Sequence, residues 1–190
     1  MVSIFRLALA AILLAACGGS SLSMAEYGDR LEEIRRTFEP RAEAAWVDYL
    51  QLADPTLQDL KTLSDREVAV RLEIEEALRD LTAPSEVREA HDLLTEWTKA
   101  MRGAGTALGK QAGRAGNWDE LLASDEYQMF EKTLSGGTEL CFEFQARLDA
   151  SAARGAFADT PWIPGDLSDV ADAVIGCETI PEDLDGVLRP

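Results

Sequence analysis

From Met24 onward the apolar residues fall at Met24, Tyr27, Leu31, Ile34 and Phe38, steps of three and four that place them on one side of an α-helix. Pro40 interrupts the pattern, because proline lacks a backbone donor and crowds the preceding turn. The stripe resumes at Ala42, Ala45, Trp46, Tyr49, Leu50 and Ala53, which predicts one long helix bent near Phe38 to Arg41, or two collinear pieces. Asp54-Pro55 reads as an N-cap with proline at the first helical position, opening a short segment through Leu63. Ser64-Asp65-Arg66-Glu67 then fits a capping box with Leu63 and Val68 as its staple. A second helix is expected from there, with Val70, Ile74, Ala77, Leu78 and Leu81 on one face.

Thr82-Ala83-Pro84 supplies a turn, after which Val87, Ala90, Leu94, Trp97, Met101, Ala104 and Leu108 alternate by three and four. This heptad predicts a long third helix packed in a seam between neighbours. Its far end carries Gly105, Gly109 and Gly113 on one side, despite a helix cost of about 1 kcal/mol each relative to alanine. Asn117-Trp118-Asp119-Glu120 reads as a capped short helix to Ala123, and Ser124-Asp125-Glu126 as the start of the next. Tyr127, Phe130, Leu134, Gly137, Cys141, Phe144 and Leu148 give that fourth main helix its buried face. Folding it back on the third brings Gly136 and Gly137 towards Met101 to Gly105, where the closest helix contact is expected. From Gly155 the character changes. Thr160 to Gly165, with two prolines, reads as an irregular strap, followed by a short helix capped by Asp166, carrying Leu167, Val170, Ala171 and Val174 and ending at Gly176. The fold class expected is all-α, an up-down four-helix bundle over residues 24–154, with residues 155–190 as a strap bearing a short helix.

Ahead of the first stripe the pattern is different: Arg6, ten apolar residues from Leu7 to Ala16, then Cys17-Gly18-Gly19-Ser20-Ser21. One positive charge, a short apolar run and a small-residue junction make a secretory signal peptide, and ten residues are too few to span a bilayer. Leu14-Ala15-Ala16-Cys17 resembles the lipobox of bacterial lipoproteins, in which cleavage precedes a cysteine bearing a diacylglycerol thioether. That resemblance implies removal of residues 1–16, lipidation at Cys17, and residues 17–23 as a flexible tether. Two or three acyl chains, each buried methylene contributing about 0.8 kcal/mol, hold a protein to a membrane where one chain does so marginally. Gly18 in place of aspartate is similar to the outer-membrane sorting class if the cell has two membranes; with one membrane, the domain sits on its outer face. Ordinary signal cleavage giving a soluble secreted protein is the competing reading, although Leu14 suits the third position before such a cut poorly.

Composition narrows the partners. The 190-residue chain is 46% hydrophobic, sufficient for a packed core, and carries a formal charge of −17, one unit more negative once Arg6 is lost. Nucleic-acid phosphates would repel such a surface. With Cys17 assigned to lipid, Cys141 and Cys177 are an even pair in an exported protein, which points to one disulfide pinning the strap to the fourth main helix.

The search for chemistry yields near misses. Gly103 to Lys110 lacks the P-loop's glycine at Ala104 and its hydroxyl at Gln111, and Leu108 occupies the third glycine of a dinucleotide fingerprint. Asp183-Leu184-Asp185-Gly186 would put the first ligand of a calcium loop on Pro181. His91 is the single histidine, so a di-metal bundle site or a histidine-rich metal site has no ligand set, and no metal or cofactor is implied. Its plain reading is a histidine edging the core; the sharper one is a general base near Asp92. Glu32, Glu33, Glu73, Glu75 and Glu76 read as solvated faces. Trp118 and Trp162 lie in connections and are candidate partner-binding residues, together with Arg102, Lys110 and Arg114 from a stretch free of acids. The expected function is a non-catalytic, membrane-anchored envelope protein that binds a protein partner or small ligand. The alternatives are a hydrophobic-ligand carrier with a cavity lined by Trp97, Met101 and Phe144, and an enzyme built on His91.

Overall fold

The first helix begins where Ser23 can cap it: its hydroxyl accepts from the Glu26 amide while the Glu26 carboxylate takes the Ser23 amide at 2.9 Å. The computed structural model describes residues 22–175, Cys177 and residues 184–188. The lipobox with Cys17, and Gly176 as a helix end, lie outside the described residues. Among those described, all regular structure is helical: α1 (Met24–Leu50), α2 (Leu57–Arg79), α3 (Arg88–Ala112), α4 (Trp118–Leu122), α5 (Asp125–Ala153), α6 (Ile163–Ile175) and α7 (Leu184–Leu188).

Pro40 does not divide α1. It sits on the exposed side, where water can serve the carbonyl left without a donor. Arg35 also ties the turns just before it, donating to Glu32 at 2.6 Å and to Glu39 at 2.7 Å. Two expected starts in the next segment are corrected. The cap of α2 is Thr56, closed reciprocally with Asp59, so Asp54-Pro55 precedes the helix rather than opening it. Ser64 to Glu67 is no capping box: α2 runs straight through it, because Ser64 is needed as a small buried side chain against α3.

Cross-helix pairs show how the long helices run. Arg41 meets Glu73 and Asp48 meets Arg66, so α1 and α2 are antiparallel. The glycine row of α3 faces α2, with Gly105 opposite Val68, Gly109 opposite Ser64 and Gly113 opposite Lys61. Arg147 pairs with Glu89, and the Ser151 hydroxyl donates to the Glu86 carbonyl at 2.6 Å, so α5 runs antiparallel to α3. These pairs bring Gly136 and Gly137 towards the level of Met101, as expected, but the most extensive helix contact lies elsewhere. A side chain at Gly136 would meet open space, and the tight seam lies between α2 and α3, the most extensively packed pair.

α5 stops in a left-handed turn at Gly155 (φ +80°), where the Ala156 amide reaches back to the Ser151 carbonyl and that of Gly155 to Ala152. The segment beyond is more ordered than a strap. Phe157 is buried, and α6 starts at Ile163, with Pro164 in the first turn, where no helical acceptor awaits a backbone donor, and Asp166 inside the helix rather than capping it. α6 packs on α1, α5 and α3, occupying the side of the ring between α1 and α5. Ile163 lies so close to Gly28 that a β-carbon there would come within 2.3 Å of its δ-methyl. The Cys141 to Cys177 disulfide is present, with Cα atoms 5.9 Å apart. Replacing both cysteines by serine is expected to lower stability by about 3 to 4 kcal/mol, the chain-entropy value for a loop of 36 residues. A urea titration followed by circular dichroism checks this.

Candidate functional site

The third-helix heptad is buried throughout, from Val87 to Leu108, and forms the spine of the core. Against it, α2 presents Leu60, Leu63, Val70, Ile74 and Leu78, all buried, with Glu67 at the step between Leu63 and Val70. A carboxylate therefore occupies an interior position. Arg71, one turn on, directs Nε to Glu67 Oε2 at 3.4 Å, and the two side chains are 12% and 17% exposed. The guanidinium lies over the Trp97 ring, 5.1 Å from its centroid, and Nη1 donates to the Val174 carbonyl at 3.3 Å. That carbonyl belongs to the last turn of α6, where a positive charge is favoured. One arginine thus ties α2, α3 and α6 together. Two buried polar atoms remain without partners among the described residues, Glu67 Oε1 and Trp97 Nε1.

Desolvation governs this pair. Burial raises the Glu67 carboxyl above its ordinary value, against the pull of Arg71 and the Trp46 indole, and burial lowers Arg71 against the pull of Glu67. Beside them is a cavity of about 50 Å³, with Trp46, Met101, Phe130 and Leu188 in its wall. It has room for a few waters. Met101 alone of the three residues expected to line a carrier cavity reaches it; Trp97 and Phe144 are packed elsewhere in the core. A larger hollow lies outside, a groove of about 490 Å³ between α1 and the end of α2. Its floor is Leu22, Ile34, Phe38, Ala77 and Leu81, and its rim carries Arg30, Glu33 and Asp80.

His91 is buried and engaged. The Tyr27 hydroxyl lies 3.0 Å from Nδ1, and the rings meet edge to face with centroids 5.7 Å apart. The Leu78 carbonyl also bonds the ring. Burial, its main perturbation, lowers the His91 pKa, while Asp92 and the Leu78 carbonyl pull it up. The neutral ring is favoured in the fold, so stability is complete above about pH 6.5 and declines as pH falls through the lowered folded value. His91→Asn is expected to flatten that decline in urea midpoints measured from pH 7 to 5. Tyr27→Phe should cost about 1 kcal/mol, the value of one hydrogen bond, in the same titration.

The other expected site residues are scattered. Arg102 is committed to Glu75, Nε to Oε2 at 2.7 Å, while Lys110 and Arg114 are exposed near the opposite end of α3. Trp118 opens α4 and packs against the core. Trp162 stands out to solvent, 55% exposed. The acids of α1 and α2 do not converge: Glu32 is taken by Arg35 and Arg36, which hold it near a pKa of about 2, Glu73 by Arg41 and Glu75 by Arg102. Among the described residues no group of His, Cys, Asp and Glu is gathered as a metal would require, and no helix is long and apolar enough to cross a membrane. The Glu67 and Arg71 pair was missed in the sequence, although Glu67 interrupts an otherwise apolar stripe at a core step. No protein-family model, curated protein or solved structure matches the chain.

Proposed function

We propose that this chain is a lipid-anchored, non-catalytic envelope protein that binds a protein partner or a small ligand on its surface. The observation that carries the surface reading is the contrast between the two hollows. The interior one, about 50 Å³, is far below the 300 Å³ or so of ordinary ligand pockets, whereas the external groove is about 490 Å³. The groove has an apolar floor with charges of both signs at its rim, the pattern of a site that gains affinity by burial and orientation by polar contacts. His91, sealed beneath Tyr27, and the arginine-bound carboxylates offer no converging acid and base for catalysis.

The anchoring half rests on the lipobox resemblance at Leu14 to Cys17. Mass measurement of the processed protein should give an N-terminal cysteine at position 17 bearing diacylglycerol; a product beginning elsewhere removes the anchor. For the binding half, a photoreactive residue at Thr37, an exposed position on the groove wall, should yield a discrete adduct in intact cells, weakened by Phe38→Asp. Recovery of the same products from a probe at exposed Lys132 would count against the groove.

A further inference from the structure

We propose that the end of the helical body formed by Leu22, Thr82 and Trp162 rests on the lipid surface, with the Trp162 indole in the headgroup layer. The inference rests on the lipid anchor at Cys17 and deepens it, since it gives the anchored domain a fixed face towards the membrane.

Leu22 marks where the chain enters the body: its amide donates to the Thr82 carbonyl at 3.2 Å, one residue before the Ser23 cap. Leu22 lies five steps along the chain from Cys17, and a fully extended chain of that length reaches at most about 18 Å. Lipid at Cys17 therefore keeps this end of the body near the bilayer. Trp162 belongs to the same end. It directly precedes Ile163, which packs against Gly28 in the second turn of α1, and α6 then runs away until Val174 meets Arg71. The turn that carries it, Thr160 to Trp162, holds the indole at 55% exposure beside exposed Pro161. An indole combines a large apolar face with one polar N–H, which is why tryptophan concentrates where acyl chains meet water.

Charge chooses the lipid. In the two connections at this end and the residues flanking them, exposed Arg79, Arg88 and Arg154 offset exposed Asp80, Glu86 and Asp159. The starts of α1 and α3 add exposed Glu26, Asp29 and Glu89 against exposed Arg30, which leaves the face a small negative excess in a chain whose total is −17, so it suits a zwitterionic headgroup layer and should be weakened by anionic lipid.

The test uses the processed protein extracted from cell membranes and reconstituted in phosphatidylcholine vesicles, with and without lipids brominated along the acyl chain. Tryptophan emission should be quenched by the brominated lipid, with that quenching lost in Trp162→Phe and retained in Trp118→Phe. Acrylamide access to Trp162 should fall on reconstitution, and less so with anionic lipid present. If the protein floats with the vesicles but Trp162→Phe leaves the quenching unchanged, the orientation is overturned while the anchor stands. If it fails to float and its N-terminus carries no lipid, both are overturned.

Discussion

Glu67→Leu is expected to destabilise the protein by about 3 kcal/mol, the range for leaving one member of a buried ion pair without its partner. The side chains are 12% and 17% exposed, so solvent screens the pair weakly. With Glu67 gone, Arg71 keeps the Trp97 ring and the Val174 carbonyl but no counter-charge. The double variant Glu67→Leu with Arg71→Met should recover most of the loss, since two desolvated charges are replaced by packing side chains. Urea titrations of the two single variants and the double variant give the coupling directly; a single variant within about 0.5 kcal/mol of wild type would show that the pair is held too loosely to matter. Protonation is a milder change than replacement by leucine, because a protonated Glu67 still offers an acceptor oxygen to Arg71, and the pH dependence reads that change separately. A carboxyl raised above its ordinary 4.5 keeps its proton longer in the folded state than in the unfolded one, so its cost is absent below about pH 4.5 and grows as pH rises through the folded value. Glu67 and His91 thus act in opposite directions. In Glu67→Gln the Glu67 contribution disappears and the His91 decline below about pH 6.5 should stand out.

The second large effect sits in the α2 and α3 seam. A β-carbon at Gly109 would stand 2.9 Å from the Ser64 β-carbon, which is fixed directly to its backbone and cannot swing aside as a flexible tip would. Gly109→Val should cost about 2 to 3 kcal/mol through overpacking. Gly103 lies two turns earlier in the same helix and has nothing within 4 Å of a β-carbon. Gly103→Ala should therefore stabilise by about 0.5 to 1 kcal/mol, the helix propensity gained without a clash. Thermal melts of the two variants should shift in opposite directions; a shift of the same sign would mean that the seam can open to accommodate the added carbon.

That seam also shows how far patterning could be read from the chain. The row of glycines at four-residue spacing announces that some neighbour approaches α3 closely, but α2 and α5 both flank α3, and one helix's periodicity does not choose between them. Ser64 completes the fit on the α2 side, and its hydroxyl, followed three residues later by glutamate, imitates a helix start so well that the pattern reads as two segments. The division in turn concealed Glu67, which reads as a cap partner in one frame and as a core position in the other. Where a local signal had no rival, it held: Asn117 and Ser124 cap α4 and α5, and the α3 heptad is buried along its length. The placement of α6 between α1 and α5 was beyond local reading, because its apolar face matches several partners equally and only the filled ring selects one. The cysteine spacing implied a link between α5 and this region, yet gave no hint that the linked piece forms a wall.

That wall comes from a part of the chain made after all four long helices. A polypeptide delivered N-terminus first holds α1 with an open flank at Gly28 until residues past Ile163 arrive to cover it. Closure is then a late event of biogenesis, and a product truncated before α6 would present that flank to proteases while its four long helices were already in place.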